Sequence, residues 1–433
     1  MTTLAEYRTR PIESWQRMKE LRRWHFHHTW EAQAQGEVMV MGIVEFSLGI
    51  FAGLGDFANP AYGPYYTLLT RNPHQLVREL EATENAGFGR DICASMRLHI
   101  GQLLLGHSTR SPKGEALRPD FILQASFCHS LGRTGQFAAR HLGVPFFTID
   151  FPHTDTPNRR RYLVDQFNEA IEWMEIVTGR TYDDERLVEA TKNEWATQVL
   201  WAKICELNQA VPAPLDLRQM WSLRLPALTI KHKKECVDYF HMLHDEVKAR
   251  VADGVSARGL EKARLVHDLL PPYFAINLLR LPEKYGALFV AGEAAFGMCG
   301  AWAIDPQGTW KPAVPPWERG QEIRTRQDAL EAQAELYLNH VPCILRINLS
   351  RLPAKAYGLV RGWKADGVVL HVDRGCNGVG GGVAETRLFL QKMGVPTVTY
   401  EGSHVDPRDM DFAQASDQIE SLLESLGLVR VAE

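Results

Sequence analysis

The chain carries one structural phrase twice, and that repetition narrows its fold more than any other feature. The first copy reads Asp120-Phe-Ile-Leu-Gln-Ala-Ser-Phe-Cys128, a helical stretch, then Gly143-Val-Pro-Phe-Phe-Thr-Ile-Asp150. The second reads Asp366-Gly-Val-Val-Leu-His-Val-Asp-Arg-Gly-Cys376, a helical stretch, then Gly394-Val-Pro-Thr-Val-Thr-Tyr-Glu401. Each parses as strand, cysteine, helix, strand. A β-branched and aromatic run bounded by Asp and Gly reads as a buried parallel strand, and the residues that follow suit one crossover helix. Both cysteines therefore fall just past the carboxyl end of a strand, the rim where open α/β sheets bind ligands.

The expected fold class is α/β: two related Rossmann-like or flavodoxin-like parallel-sheet domains joined by a helical segment, with a cofactor held between them. The boundaries expected are an N-terminal helical arm over 1–50, a first α/β domain over 51–158, a helical connecting segment over 159–275 and a second α/β domain over 276–433. Residues 12 to 35 read as a helix with a Trp and Leu stripe suited to packing. Residues 36–70 read as strand and loop, and 74–86 as a helix broken by Gly87-Phe-Gly89. Asp91 is the expected N-cap of the next helix, which puts Cys93 in a first turn where the helix end favours a thiolate. The strand Ala287–Ala291 opens the second unit, with Glu293 and Cys299 in the loop after it. Further strands are expected at 343–347, 368–372 and 396–400, and helices near 320–339, 353–364, 383–393 and 412–426.

A net charge of -4 argues against a nucleic-acid partner, since the basic runs Arg159–Arg161 and Lys231–Lys234 are short and suit solvated helix ends. The first residues lack an apolar core of signal-peptide length, and the most apolar window, Val38 to Phe57, carries Glu45, Asp56 and several glycines. A cytoplasmic protein without a membrane span is expected. Seven cysteines with no export signal imply reduced thiols, and no Cys-x-x-Cys pair exists, so a metal site must be assembled from distant segments. Cys205, Cys236 and Cys343 sit inside apolar elements and read as core. Cys93, Cys128, Cys376 and Cys299 sit at element boundaries and are the candidate ligands.

The segment Ala365-Asp-Gly-Val-Val-Leu-His-Val-Asp-Arg-Gly-Cys376-Asn-Gly, with Glu385-Thr-Arg387 and Gly394-Val-Pro-Thr-Val-Thr-Tyr-Glu-Gly402, resembles the 2-hydroxyacyl-CoA dehydratase and class I benzoyl-CoA reductase family. Arg90-Asp-Ile-Cys93 and Gln124-Ala-Ser-Phe-Cys128-His resemble the family's two earlier cysteine segments. The Arg-Gly-Cys segment with its Gly-rich tail is most similar to the second large subunit of benzoyl-CoA reductase.

The resemblance implies that Cys93, Cys128 and Cys376 hold an iron–sulfur cluster, either [4Fe–4S] or a larger cluster shared with a partner, with one iron left open. It gives Cys299 no ligand role, and Ala-Phe-Gly-Met-Cys-Gly-Ala-Trp around Cys299 suits packing. It further implies a homologous sister subunit, an ATP-hydrolysing iron–sulfur activator, a ferredoxin as electron donor and an acyl-CoA substrate. The activity implied is ATP-dependent reduction of an aromatic acyl-CoA ring to a cyclic diene; the alternative is dehydration of an (R)-2-hydroxyacyl-CoA. ATP belongs to the activator, because this chain has no Gly-x-x-x-x-Gly-Lys-Ser/Thr loop. Two other readings remain open. Gly378, Gly380 and Gly382 could cradle a phosphate or CoA, or serve a nucleotide-binding oxidoreductase, and the chain could be a scaffold whose cluster only relays electrons. His129, His153 (with Asp155) and Glu293 are the candidate proton donors.

Overall fold

The computed structural model describes residues 7–42, 46–59, 73–107, 117–152, 155–342, 349–376 and 380–431. Its architecture is α/β, built on two four-stranded parallel sheets. The first contains β1 (Val38–Gly42), β2 (Phe57–Ala58), β3 (Phe121–Ala125) and β4 (Phe146–Ile149), ordered β2-β1-β3-β4. The second takes β5 (Ala263–Asp268), β6 (Ala287–Ala291), β9 (Gly367–Asp373) and β10 (Thr397–Gly402); read from β6 its order is β6-β5-β9-β10. A small antiparallel pair, β7 (Trp302–Ile304) and β8 (Trp310–Pro312), stands apart from both.

The two sheets thus share one topology. In each, the chain first steps outward, then returns past its first strand, which creates a switch point between β1 and β3 and another between β5 and β9. Strand order reverses there, so the loops on either side diverge and leave a crevice at the carboxyl ends. The repeated phrase maps onto equivalent pairs. β3 and β4 register Ile122 on Phe146, β9 and β10 register Val368 on Thr397, and each pair forms one border of its sheet.

Between the sheets in sequence lie the helices Arg159–Thr178, Asp184–Leu207 and Lys234–Ala252. Asp184–Leu207 is buried on nearly every side, which explains why its apolar residues show no single stripe. Trp195 and Trp201 are fully enclosed, and their indole N–H groups donate to Ala332 O and Ala295 O, each at 3.0 Å. One strand departs from expectation: β5 falls within 159–275, the stretch read as a mostly helical connection. Arg264 and His267 interrupt its apolar pattern, yet both are buried and hydrogen-bonded, Arg264 to Trp363 O at 2.7 Å and Asn208 O at 2.9 Å. The strand expected at 343–347 lies outside the described residues, as does Cys343.

Buried charge joins the two units. Arg97, on the helix Ala94–Leu104, meets Glu84 at 3.0 Å within its own unit and Asp406 at 3.2 Å from the other. Arg408 reaches back to Glu84 at 2.5 Å. Such a network keeps its orientation because its members share partners and because Arg97 and Asp406 at its centre are fully enclosed, where water cannot replace a lost counterion.

Candidate functional site

Cys93 is itself the N-cap of the helix Ala94–Leu104, with φ −44° and ψ 124°, and its carbonyl accepts from the Met96 and Arg97 amides. This corrects the expectation that Asp91 caps the helix. Asp91 lies in the preceding turn, where its carboxylate folds back over Gly89 so closely that a Cβ there would stand 2.2 Å from Oδ1. The correction moves Cys93 closer to the unpaired amides at the helix end, which favour a thiolate.

Cys376 follows β9 through Gly375, whose φ is +78°. A Cβ at that glycine would lie 2.9 Å from Ile92 O and 3.2 Å from Asp91 O, so only glycine lets this loop rest on the turn before Cys93. The result is a close approach of thiols from the two units. The hydrogen bond from Cys376 is the largest influence on Cys93; burial opposes it, and His404 and the Met96 amide reinforce it, leaving the Cys93 thiol well below its usual range.

His404 stands two residues beyond β10 and is buried. Its Nδ1 lies 2.5 Å from Asp373 Oδ2, at the end of β9, and its Nε2 lies 2.5 Å from Ser95 Oγ. Burial pulls its pKa down, but Asp373 and the Cys93 thiol outweigh that and raise it to about 10. A positive imidazolium beside a low-pKa thiol, oriented by a buried carboxylate, forms a compact charged group at the rim of the second sheet. Sequence reasoning missed both residues, although Asp373 sits inside the quoted motif and His404 obeys the same strand-end rule that selected the cysteines.

Cys128 caps the helix His129–Leu142 with extended backbone, φ −143° and ψ 151°, and is half-buried. That helix packs against Ala94–Leu104, so Cys128 belongs to the neighbouring rim. Among the described residues, no three His, Cys, Asp or Glu side chains converge on a point that could hold a single metal ion.

The remaining candidates separate. His129 is exposed at the first position of its helix. Glu293 is 1% exposed and paired with Lys355 at 3.2 Å, a buried ion pair in the core. His153 and Gly378 lie outside the described residues; Asp155 pairs with Arg159 at 3.3 Å. The Gly380 amide donates to Cys376 O at 2.7 Å, and Gly382, at φ +77°, is the N-cap of the helix Val383–Lys392. Cys205 and Cys236 are buried in helices, and burial raises both thiols. Cys299 is likewise buried, with Arg224 Nη1 3.3 Å from its sulfur.

The sequence of residues 73–426 matches the model of the family described as 2-hydroxyglutaryl-CoA dehydratase, D-component. The chain belongs to this family. It is 27% identical over 364 residues to the (R)-phenyllactyl-CoA dehydratase alpha subunit of Clostridium sporogenes, covering 82% of this chain and 81% of that one. It is 24% identical over 318 residues to the (R)-2-hydroxyglutaryl-CoA dehydratase alpha subunit of Acidaminococcus fermentans, covering 71% and 60% of the two chains. It is 22% identical over 355 residues to the benzoyl-CoA reductase B subunit of Thauera aromatica, covering 78% and 77%. Dehydratase and reductase subunits are therefore both among its relatives. No helix among the described residues is long and apolar enough to cross a membrane.

Proposed function

We propose that this chain is the iron–sulfur subunit of an acyl-CoA-transforming enzyme, with Cys93, Cys128 and Cys376 as cluster ligands. The observation that carries the reading is the approach of Cys93 and Cys376 from two separate units, enforced by Gly375 and supported by the His404–Asp373 pair. Thiolates are the ligands such clusters require, and two helix N-caps and one strand-end loop offer them at a rim where a ligand can enter. A cluster bound there would supply single electrons at low potential to an acyl-CoA beside it.

The chain's own residues have separate roles in this reading. Cys93 is held toward its ionised form first by the hydrogen bond from Cys376 and then by the His404 imidazolium and the Met96 amide, against its burial. Asp373 holds the ring by charge, its Oδ2 2.5 Å from Nδ1, while the opposite nitrogen faces Ser95. Glu293 has no part in proton transfer, because it is buried against Lys355. His129, exposed beside Cys128, is positioned to exchange a proton with solvent. His153, Gly380 and Gly382 remain the other candidates for proton transfer and phosphate contact.

Between the two activities, similarity to dehydratase alpha subunits favours dehydration of an (R)-2-hydroxyacyl-CoA over ring reduction. Reduction of an aromatic acyl-CoA is the second reading, supported by the likeness to a benzoyl-CoA reductase chain. Either requires a sister subunit and an ATP-hydrolysing activator, with ferredoxin as the electron source and the cytoplasm as the expected compartment. The test is to incubate the anaerobically purified complex with activator, ATP and reductant, and offer (R)-2-hydroxyacyl-CoA or benzoyl-CoA. Dehydration of the former with no diene from the latter is expected; diene formation alone would reverse the preference, and neither product would remove the proposal.

A further inference from the structure

We propose that a second site, a cavity walled by arginines, binds the diphosphate of an adenosine-diphosphate-bearing ligand. The cavity, of about 690 Å³, opens between the N-terminal segment, the short helix Leu217–Leu223 and the segment Tyr273–Tyr285. Its volume falls within the range of small-molecule sites. Arg10, Arg218, Arg258 and Arg280 line it together with Trp15 and Asn277, and no carboxylate among the described residues does.

The acids that balance these arginines stand outside the wall. Arg10 pairs with Asp253 at 3.1 Å, Arg258 with Asp216 at 2.8 Å and Glu283 at 3.0 Å, and Arg280 with the same Glu283 at 3.0 Å. Arg218 donates to a neutral hydroxyl, Ser222 Oγ, at 3.1 Å. Among the described residues, four guanidinium groups are thus met by three carboxylates. A guanidinium carries five N–H donors in a planar fork, so pairing with one carboxylate leaves geometry suited to a phosphate on its other edge. Trp15 adds a flat apolar face and Asn277 an amide, the two features that a purine ring recognises by stacking and hydrogen bonding.

Position links the cavity to the cysteine pair. Trp221, one turn beyond Arg218 on the same helix, meets Tyr273 edge-on at 5.6 Å, and Tyr273 meets His404 edge-on at 5.8 Å. The Tyr273 amide donates to His404 O at 2.9 Å. Two ring contacts therefore connect the cavity wall to the imidazole beside Cys93. Coenzyme A as the occupant rests on the acyl-CoA reading above, whereas affinity for an ADP group does not.

Titration calorimetry of the purified full chain with coenzyme A, with ADP and with pantetheine, which lacks phosphate, tests the site. Coenzyme A and ADP should compete with each other, while pantetheine displaces neither. Arg218→Ala and Arg280→Ala should each weaken both nucleotides about tenfold or more, the loss of one charge-assisted hydrogen bond. Arg161→Ala, on an exposed helix face, should change nothing, and thermal melts of all three variants check that they fold. ADP binding without coenzyme A binding would keep the site and separate it from the acyl-CoA reading. Affinities unchanged in both cavity variants, or no binding of either nucleotide, would overturn it.

Discussion

At the rim of the first sheet the carboxylate stands after the border strand and the hydroxyl after the inner one. Asp150, beyond β4, accepts from Ser126 at 2.9 Å and from Tyr162 at 2.8 Å. At the rim of the second sheet the order is reversed and the groups are charged. Asp373 ends the inner strand, and His404 lies beyond the border strand. The first arrangement faces solvent; the second is enclosed. The same topology therefore supplies two kinds of support for a cysteine. The solvated rim, where one carboxylate meets two hydroxyls, leaves Cys128 accessible, whereas the buried ion pair holds Cys93 and, through Gly375, Cys376 in a fixed electrostatic setting. A protein that must carry a reactive group between two units gains from that asymmetry, because one side orients and the other admits.

The largest expected difference between the rims is energetic. Asp373→Asn leaves the buried His404 without its counterion and should cost about 3–5 kcal/mol in denaturant unfolding of cluster-free protein. Asp150→Asn, at a solvated site, should cost about 1 kcal/mol or less. Equal losses would show that the two rims do not differ as described.

A second contrast concerns pH. His267, on β5, is buried and its pKa is lowered to about 3, first by burial and then by His371 nearby; its Nε2 lies 2.8 Å from the Tyr400 hydroxyl. A histidine whose folded pKa lies below its unfolded value of about 6.5 binds its proton more readily when unfolded. Stability is then fully present above pH 6.5 and falls progressively as the pH drops from there toward 3, by a few kcal/mol at order of magnitude. His267→Gln, which keeps a polar partner for Tyr400, should flatten that slope relative to wild type between pH 6.5 and 4.5. An identical slope in the variant would place the acid sensitivity elsewhere.

The smallest effect is expected away from both rims. Cys299→Ala removes a buried sulfur beside Arg224 and should cost about 1–2 kcal/mol. It should leave the iron content of the anaerobically purified protein at the wild-type level. Loss of iron in that variant, with Cys93→Ala unaffected, would exchange the roles assigned to these two thiols.

Much of this organisation is readable from the chain because its strands are enclosed by apolar residues and its cysteines sit where pattern changes. Phe121–Ala125 and Gly367–Asp373 both announce themselves as β-branched or aromatic runs, and the cysteine after each follows from the rim rule. What resisted reading depends on partners remote in sequence. Arg264 and His267 disguise β5, since nothing local says that Trp363 and Asn208 will satisfy the one and Tyr400 the other. Glu293 looks like a strand-end acid until Lys355 is seen against it. Asp91 has the composition of an N-cap, yet the Gly375 contact and its own turn give that position to Cys93. His404 was concealed for the opposite reason: its role arises only when the second unit brings it against Ser95 and Cys93 of the first.

The central claim, that thiols from both units share one iron–sulfur cluster, is tested most directly by iron and acid-labile sulfide per chain in anaerobically purified single variants. Cys93→Ser, Cys128→Ser and Cys376→Ser should each lose most of the bound iron, because a hard hydroxyl replaces a soft thiolate, while Cys205→Ser retains it. Wild-type iron in the first three variants, or its loss in Cys205→Ser alone, would contradict the account.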